Sequence, residues 1–397
     1  MASVKPPYPE RTDIVRKARS GQSEATQVEV WTDAQWAEAT GLFQILDENG
    51  KADPALVPQL PRSELIQLYH GMRMSRTLDD RLMPLQRQGR IGFYIECRGQ
   101  EAGMIGGAHA IGPDDWFIQG LRETAAGIYR GVPLRTHVAQ ILGNGNDLVK
   151  GHQLPCHSGN RASNHLIMSS CVSSQLPQAM GIAWASKLSG HKNVALGYMG
   201  DGGTSAEDFH VAMNFAGVFK VPVIFVCQNN QWAISTPIEK QTTSETIAVK
   251  GLAYGLPSVR VDGNDIFAMY ATVKAAVDRA RAGGGATFIE AVTFRVGAHS
   301  SSDDPSRYRD PAEPEAWKAK DPILRYSRWL ADNHILSDAA REQVDAEIEA
   351  SIRDAIAEEE KAPALSMRSI IEDVYKKPNW LLEEQLADLE RVRARRD

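Results

Sequence analysis

Asp201 and Asn230 are the residues of this chain best suited to hold a hard cation, and each ends a run built like a buried strand. In NVALGYMGDGGTSAEDFHVAMNFAGVFKVPVIFVCQNNQWAISTP, residues 193–237, the apolar run Val194 to Met199 enters the turn Gly200-Asp201-Gly202-Gly203. A second run, Val221 to Val226, enters Asn229-Asn230. Between them Val211, Phe215, Val218 and Phe219 recur at helical spacing. That helix carries Glu207 and Asp208 in its first turn, with Thr204 or Ser205 able to cap it. The pattern predicts a βαβ unit with Asp201 and Asn230 at the carboxyl ends of parallel strands, where open α/β sheets bind ligands. A carboxylate, an amide oxygen and a nearby backbone carbonyl suit Mg²⁺, which completes its octahedron with water and phosphate oxygens. Glycines at 200, 202 and 203 let backbone N–H groups approach a phosphate without a Cβ in the way. The stretch therefore predicts a diphosphate held through a metal. The bland alternative, an ordinary βαβ turn with Asp and Gly, does not account for GDG followed by helix, strand and NN.

Other residues carry weaker signals. Arg122 follows the strand-like run Trp116 to Gln119 and can grip a phosphate, or form a surface ion pair. His299 lies in the hydroxyl-rich loop GAHSSSDDPSRY after a buried strand, Ala286 to Phe294. It is expected to titrate near neutral pH and to shuttle protons, unless it is a satisfied loop histidine. The polar knot Ser169 to Pro177 offers hydroxyls and carbonyls to a monovalent cation, or simply a helix cap at Ser174 before a helix over 178–186. His152 and His157 lie in a glycine-rich loop, 143–159, with no carboxylate at ligand spacing, and read as hydrogen-bonding residues. Phe93 and Tyr94 close a glycine-bounded turn and read as turn and core.

The remaining elements must position these groups. Residues 62–88 place Leu65, Leu68, Tyr69, Met72, Met74, Leu78, Leu82 and Leu85 on one helical face. The small-residue run GMIGGAHAIG suits a closely packed helix. VDGNDIFAMYATVKAAVDRARAGGG is a turn and an amphipathic helix ending in glycines. The fold class expected is α/β, a mostly parallel sheet flanked by helices. Three regions are expected: residues 1–60 as a proline-punctuated extended arm, 61–330 as the α/β domain, and 331–397 as a charged helical region. The apolar stripe of that last region, Ile370, Ile371, Val374, Tyr375 and Trp380 to Leu382, is expected to pack on the body or on another subunit. A net charge of −6 without a basic block gives no support for a nucleic-acid surface. Four cysteines without CxxC spacing indicate neither zinc nor a disulfide framework. No apolar run has the length of a membrane span, and no signal-peptide segment follows Met1. The proline-containing start carries Glu10 and Asp13, which favours a bacterial cytoplasmic protein; the mitochondrial matrix is the expectation for a eukaryotic source.

GDG…NN resembles the thiamine-diphosphate motif. QNNQWAISTP, RVDGNDIFAMYA and GAHSSSDDPSRYRD resemble the alpha subunit of the decarboxylating component of 2-oxo acid dehydrogenase complexes, branched-chain type, from about residue 40 to the C-terminus. The resemblance implies a thiamine-diphosphate-binding fold and oxidative decarboxylation of branched-chain 2-oxo acids, such as 3-methyl-2-oxobutanoate. The acyl group would pass to a lipoyl group of the acyltransferase core. It implies Mg²⁺ on Asp201, Asn230 and the backbone carbonyl of Trp232. The cofactor would lie against Arg122, Ser170, Val172, Gly200, Gly202, Gly203 and His299, the last of these assisting transfer. Ser169, Cys171, Ser174 and Gln175 match a K⁺ site, Phe93 and Tyr94 a substrate pocket, and Ser300 a serine phosphorylated in mitochondrial relatives. Two departures stand out: Leu121 replaces an aromatic residue, and Gln228 stands where relatives often carry an arginine toward the phosphates. Nothing in the chain supplies the glutamate and second domain that the cofactor's aminopyrimidine ring needs. In the family these belong to a separate beta subunit, in an α₂β₂ heterotetramer. The competing readings are a pyruvate dehydrogenase alpha subunit, a nicotinamide-dependent dehydrogenase, which GDGGTS fits poorly for want of GxGxxG spacing, and a non-catalytic scaffold.

Overall fold

The computed structural model describes residues 33–395. The chain runs α1 (Asp33–Thr40), α2 (Arg62–Arg87), α3 (Glu101–Ala110), β1 (Trp116–Ile118), α4 (Thr124–Tyr129), α5 (Leu134–Leu142), β2 (His165–Leu166), α6 (Gln175–Leu188) and β3 (Ala195–Gly200). It continues through α7 (Glu207–Val218), β4 (Val223–Asn229), the short strands β5 (Trp232–Ala233) and β6 (Thr236–Pro237), α8 (Val249–Leu252), β7 (Ser258–Asp262), α9 (Ile266–Arg279) and β8 (Thr287–Val292). The C-terminal helices are α10 (Ala312–Trp317), α11 (Pro322–Asp332), α12 (Asp338–Glu359), α13 (Ser369–Glu372) and α14 (Trp380–Arg393).

Six strands form one parallel sheet in the order β2-β1-β3-β4-β8-β7. Parallel strands need crossover helices, and those helices bury both faces of the sheet. Strand residues alternate accordingly. Leu196, Tyr198, Ile224, Val226, Ile289 and Ala291 pack on the side of α2, α3, α9 and α11. Ala195, Met199, Val223, Phe225, Cys227 and Phe288 pack on the side of α6 and α7. Parallelism also collects the carboxyl ends of β1, β3, β4 and β8 on one edge, so that the residues following those strands meet.

The apolar face expected of α2 is buried throughout, and its second half packs against Ile348, Ile352 and Ile356 of α12. The expected arm is partly regular. Its first 32 residues lie outside the described ones; then α1 forms and lodges Ala39 against Ala248 and Leu252. The chain next lies along the sheet edge, where the Phe43 N–H donates to the Arg260 carbonyl at 2.9 Å. Asp265 caps α9 through its Oδ1, while its Oδ2 accepts from the Ile45 and Leu46 N–H groups, both at 2.6 Å.

Two local expectations fail, and a third element is helical as expected but turned. A 3₁₀ turn occupies Asp201–Ser205, so α7 starts after Ala206, and Thr204 instead donates its hydroxyl to the Asp201 carbonyl at 2.9 Å. Ser174 precedes α6 without capping it, because its hydroxyl is taken by the Cys171 carbonyl at 2.8 Å; the helix starts at Gln175 rather than 178. The stripe Val211, Phe215, Val218 and Phe219 faces outward, and α7 buries Phe209, Ala212, Met213 and Ala216. Both stripes have helical spacing; the two alanines of the second allow the helix to lie close on the sheet. Of the C-terminal stripe, Ile371 is buried, whereas Ile370, Val374, Tyr375, Trp380 and Leu381 are exposed on this chain.

Candidate active site

The turn after β1 delivers Arg122 to the carboxyl edge, where its side chain is buried. Its Nη1 donates to the Glu96 carbonyl at 2.6 Å, and its Nη2 to the Nδ1 and the carbonyl of His299 at 3.1 and 2.8 Å. Among the described residues it makes no ion pair, and its charge stays available to the cavity that it lines.

His299 is held from its own loop as well. Its N–H donates to Asp303 Oδ2 at 2.8 Å; Tyr308 donates its hydroxyl to the same oxygen at 2.6 Å, and Arg295 donates to Tyr308 at 2.8 Å. The loop pairs with the segment before α3, since Ser301 N–H donates to the Tyr94 carbonyl at 2.9 Å and Tyr94 N–H to Ser301 Oγ at 3.0 Å. Desolvation, with the Arg122 and Arg295 guanidinium groups beside the ring, pushes the His299 pKa down to about 4. The expected titration near neutral pH is therefore not found; the imidazole is neutral at pH 7. Ser300 is buried, with Oγ accepting from Ser302 N–H at 3.3 Å, so a modifying enzyme reaches it only when the loop opens.

Asp201 is 1 % exposed and, among the described residues, makes no ion pair. Burial raises its pKa, opposed by the Gln241 amide, 2.6 Å from Oδ2, and by the N–H groups of Asp201 and Asn230. A buried carboxylate without a cation is what a divalent ion relieves. Asn230 turns its Nδ2 to Gln100 Oε1 at 3.1 Å, leaving Oδ1 with only the Trp232 N–H at 3.2 Å. The Trp232 carbonyl accepts from Arg295 Nη1 at 3.3 Å and keeps a second lone pair. All three residues line one cavity, and a carboxylate, an amide oxygen and a backbone carbonyl are a donor set that fits Mg²⁺. The glycines divide the work. A Cβ on Gly202 would sit 2.7 Å from Ala233 Cβ, and one on Gly203 2.7 Å from Ser173 Oγ, whereas one on Gly200 meets nothing within 4 Å. Close packing requires the first two, and only Gly200 opens directly onto space.

The cavity measures about 470 Å³, a size typical of small-molecule sites. Arg122, His299, Asp201, Asn230, Trp232 and Gly200 to Gly203 are among its lining residues. Phe93, Leu121, Leu154 and Met168 give it an apolar wall, and Ser169 to Val172 and Gln175 form a rim. Tyr94 is not on that wall. Adjacent residues of an extended segment point opposite ways, and Tyr94 runs behind it to donate to Asp79 Oδ1 at 2.9 Å. Ser174 is also off the lining, and Gln175 directs its Nε2 to the Tyr198 carbonyl at 2.9 Å. His157 reaches the cavity, while His152 hydrogen-bonds the Ser369 carbonyl at 2.9 Å. Sequence reasoning missed Gln100, Glu123 and the role of Gln228, all buried at the floor. Gln100 Nε2 and Gln228 Oε1 have no protein partner there, and such orphaned atoms mark where a ligand or water completes a site.

Comparison with known proteins agrees with this geometry. The chain is 38% identical to 2-oxoisovalerate dehydrogenase subunit alpha 2, mitochondrial, of Arabidopsis thaliana, over 88% of this chain and 74% of that one. It is 41% identical to the corresponding alpha subunit of Dictyostelium discoideum, over 87% and 79%. It is 39% identical to the pyruvate dehydrogenase E1 component subunit alpha of Staphylococcus aureus, over 92% and 96%. Residues 69–368 match the family described as "Dehydrogenase E1 component". With its parallel sheet, its Asp201–Asn230 pair and these relatives, the chain belongs to the dehydrogenase E1 component family, whose members depend on thiamine diphosphate.

Proposed function

We propose that this chain is the alpha subunit of a branched-chain 2-oxo acid dehydrogenase, acting on substrates such as 3-methyl-2-oxobutanoate and passing the acyl group to a lipoyl group of an acyltransferase core. The observation that carries the reading is the convergence of Asp201, Asn230 and the Trp232 carbonyl with Arg122 and His299 around one cavity. Thiamine diphosphate, when bound, supplies the electron sink for decarboxylation. The chain's own groups have separate tasks. Asp201, Asn230 and the Trp232 carbonyl would hold Mg²⁺, and Arg122 would bear on the diphosphate. His299, with its hydrogen on Nε2, can donate a hydrogen bond into the same cavity. Phe93, with Leu121, Leu154 and Met168, excludes water and fits a branched aliphatic side chain. The segment Ser169 to Gln175 is proposed to take K⁺ through oxygens of Ser169, Cys171, Ser174 and Gln175. The Ser174 hydroxyl can keep its bond to the Cys171 carbonyl, since both oxygens retain lone pairs, and K⁺-dependent cofactor affinity checks the site.

The aminopyrimidine half of the site comes from a beta subunit, in an α₂β₂ assembly. Among the described residues no helix is long and apolar enough to cross a membrane; the cytoplasm of a bacterium is the compartment proposed. The alternative, a pyruvate dehydrogenase alpha subunit, draws on the S. aureus relative. Turnover of 3-methyl-2-oxobutanoate and of pyruvate by the chain co-expressed with its beta subunit decides. The branched substrate should win by at least tenfold in kcat/KM, as a few methylenes in an apolar pocket allow. Preference for pyruvate overturns the assignment.

A further inference from the structure

Glu123 closes the turn that carries Arg122 and stands at the N-terminus of α4, and nothing about its type or spacing singles it out. Its carboxylate is 3 % exposed. Oε2 accepts from three consecutive backbone N–H groups, those of Gly120, Leu121 and Arg122, at 2.7, 3.0 and 3.2 Å. Oε1 accepts from Gln228 Nε2 at 2.6 Å. The turn ending β1 and the last residues of β4, two strands apart in the sheet, are thereby fastened to one side chain. Three N–H groups converging on one oxygen leave the turn a single conformation, and this conformation aims Arg122 at His299. Burial makes the arrangement strict, since each N–H would be costly to leave unmet.

Gln228 has a second feature. It is 2 % exposed, lines the cavity, and its Oε1 has no protein partner. Because Nε2 is committed to Glu123, the amide cannot turn that donor toward the cavity. A residue well placed to touch an anion is thus spent on holding the turn.

We propose that Glu123 is a positioning residue for cofactor binding, acting through Arg122, and that Gln228 serves Glu123 rather than the diphosphate. The proposal rests on the reading of Arg122 as a diphosphate contact. The test is calorimetric titration of thiamine diphosphate with Mg²⁺ into the assembled αβ enzyme, comparing Arg122→Ala, Glu123→Ala, Glu123→Gln, Gln228→Ala and the double variant Arg122→Ala/Glu123→Ala. Glu123→Ala should weaken binding about tenfold, the effect of losing one charge-assisted contact. The double variant should bind no more weakly than Arg122→Ala alone, a coupling that a general loss of stability would not produce. Glu123→Gln should recover most of the affinity. Its carbonyl can cap the turn, and the Gln228 amide can turn over to accept from the new NH₂. Gln228→Ala, which keeps the three caps, should lose a smaller part and covers the case in which Glu123→Ala fails to assemble. If Arg122→Ala weakens binding while Glu123→Ala does not, or if the two effects simply add, the positioning role is wrong and the Arg122 contact stands. If Arg122→Ala itself leaves the affinity unchanged, the diphosphate contact is wrong and the proposal falls with it.

Discussion

Arg122 Nη2 donates to His299 Nδ1 at 3.1 Å and to the carbonyl of the same residue at 2.8 Å. The first bond makes Nδ1 an acceptor, which fixes the hydrogen of the neutral ring on Nε2. The same contact sets a permanent cation against the imidazole and disfavours a second proton. Desolvation is the largest cause of the pKa near 4, with Arg122 and Arg295 next.

The first prediction follows from that ordering. In the cofactor-free enzyme Arg122→Met should raise the His299 pKa toward its ordinary value without reaching it, because burial persists. The pH dependence of carbethoxylation at His299, with His299→Asn as the blank, measures it. An unshifted pKa would remove the arginine from the list of causes.

Asp201 gives a prediction with two opposite signs. Asp201→Asn neutralises a buried carboxylate whose pKa is raised by desolvation. The cofactor-free protein should therefore be as stable as the parent, or more so. The same change removes the anionic metal ligand, so Mg²⁺ and thiamine diphosphate should no longer raise Tm. A bound ligand at a hundredfold excess over Kd stabilises by about 2.7 kcal/mol, a difference thermal melts resolve easily. A retained cofactor-dependent shift would count against Asp201 as a ligand.

Acid lability should arise behind the site. His165 and His137 are buried, and desolvation pushes their pKa values down to about 3 and about 4. Folded-state values lie below the unfolded value, so the stability they confer is complete above about pH 6.5 and is lost as pH falls toward 4. Each contributes a slope of up to about 1.4 kcal/mol per pH unit in that window. His165 Nε2 donates to Gln119 Oε1 at 3.1 Å, and the longer amide of Gln retains a donor there without titrating. His165→Gln should flatten the fall in urea midpoint between pH 6.5 and 4.5; an unaltered slope would mean that His165 is charged or exposed in the folded state.

What could be read from residues alone is what local pattern encodes. Strands β3 and β4, the α2 face and the His299 loop follow from runs of one period and the turns that break them. The floor of the site follows no such rule. Glu123 and Gln228 are 105 positions apart, Asn230 and Gln100 are 130 apart, and an ordinary Glu or Gln acquires its role only when strand order brings it to the edge. The Tyr94 side chain was misplaced because one residue of offset in an extended segment reverses its direction. The lowered pKa of His299 was invisible because its causes, Arg122 and Arg295, come from different loops.

The outward stripe of α7 supplies the last prediction. Val211, Phe215, Val218 and Phe219 are each more than a third exposed, and Phe219 stacks on Trp184 of α6, beside which Leu188 is 75 % exposed. A contiguous apolar surface of this kind on one chain marks a contact with another, and an E1 alpha chain works with a beta subunit. Since Phe215 makes no part of the core, Phe215→Asp should leave the melting of the isolated chain within about 0.5 kcal/mol of the parent. In the co-expressed enzyme the same charge would be buried without a partner. It should weaken assembly by at least about 2 kcal/mol, the scale of an interface hot spot. Sedimentation velocity at micromolar concentration would then show free subunits where the parent shows one complex. Intact assembly of Phe215→Asp with undiminished activity would remove this stripe from the interface, and a chain that no longer melts cooperatively would mean that α7 packs inward after all.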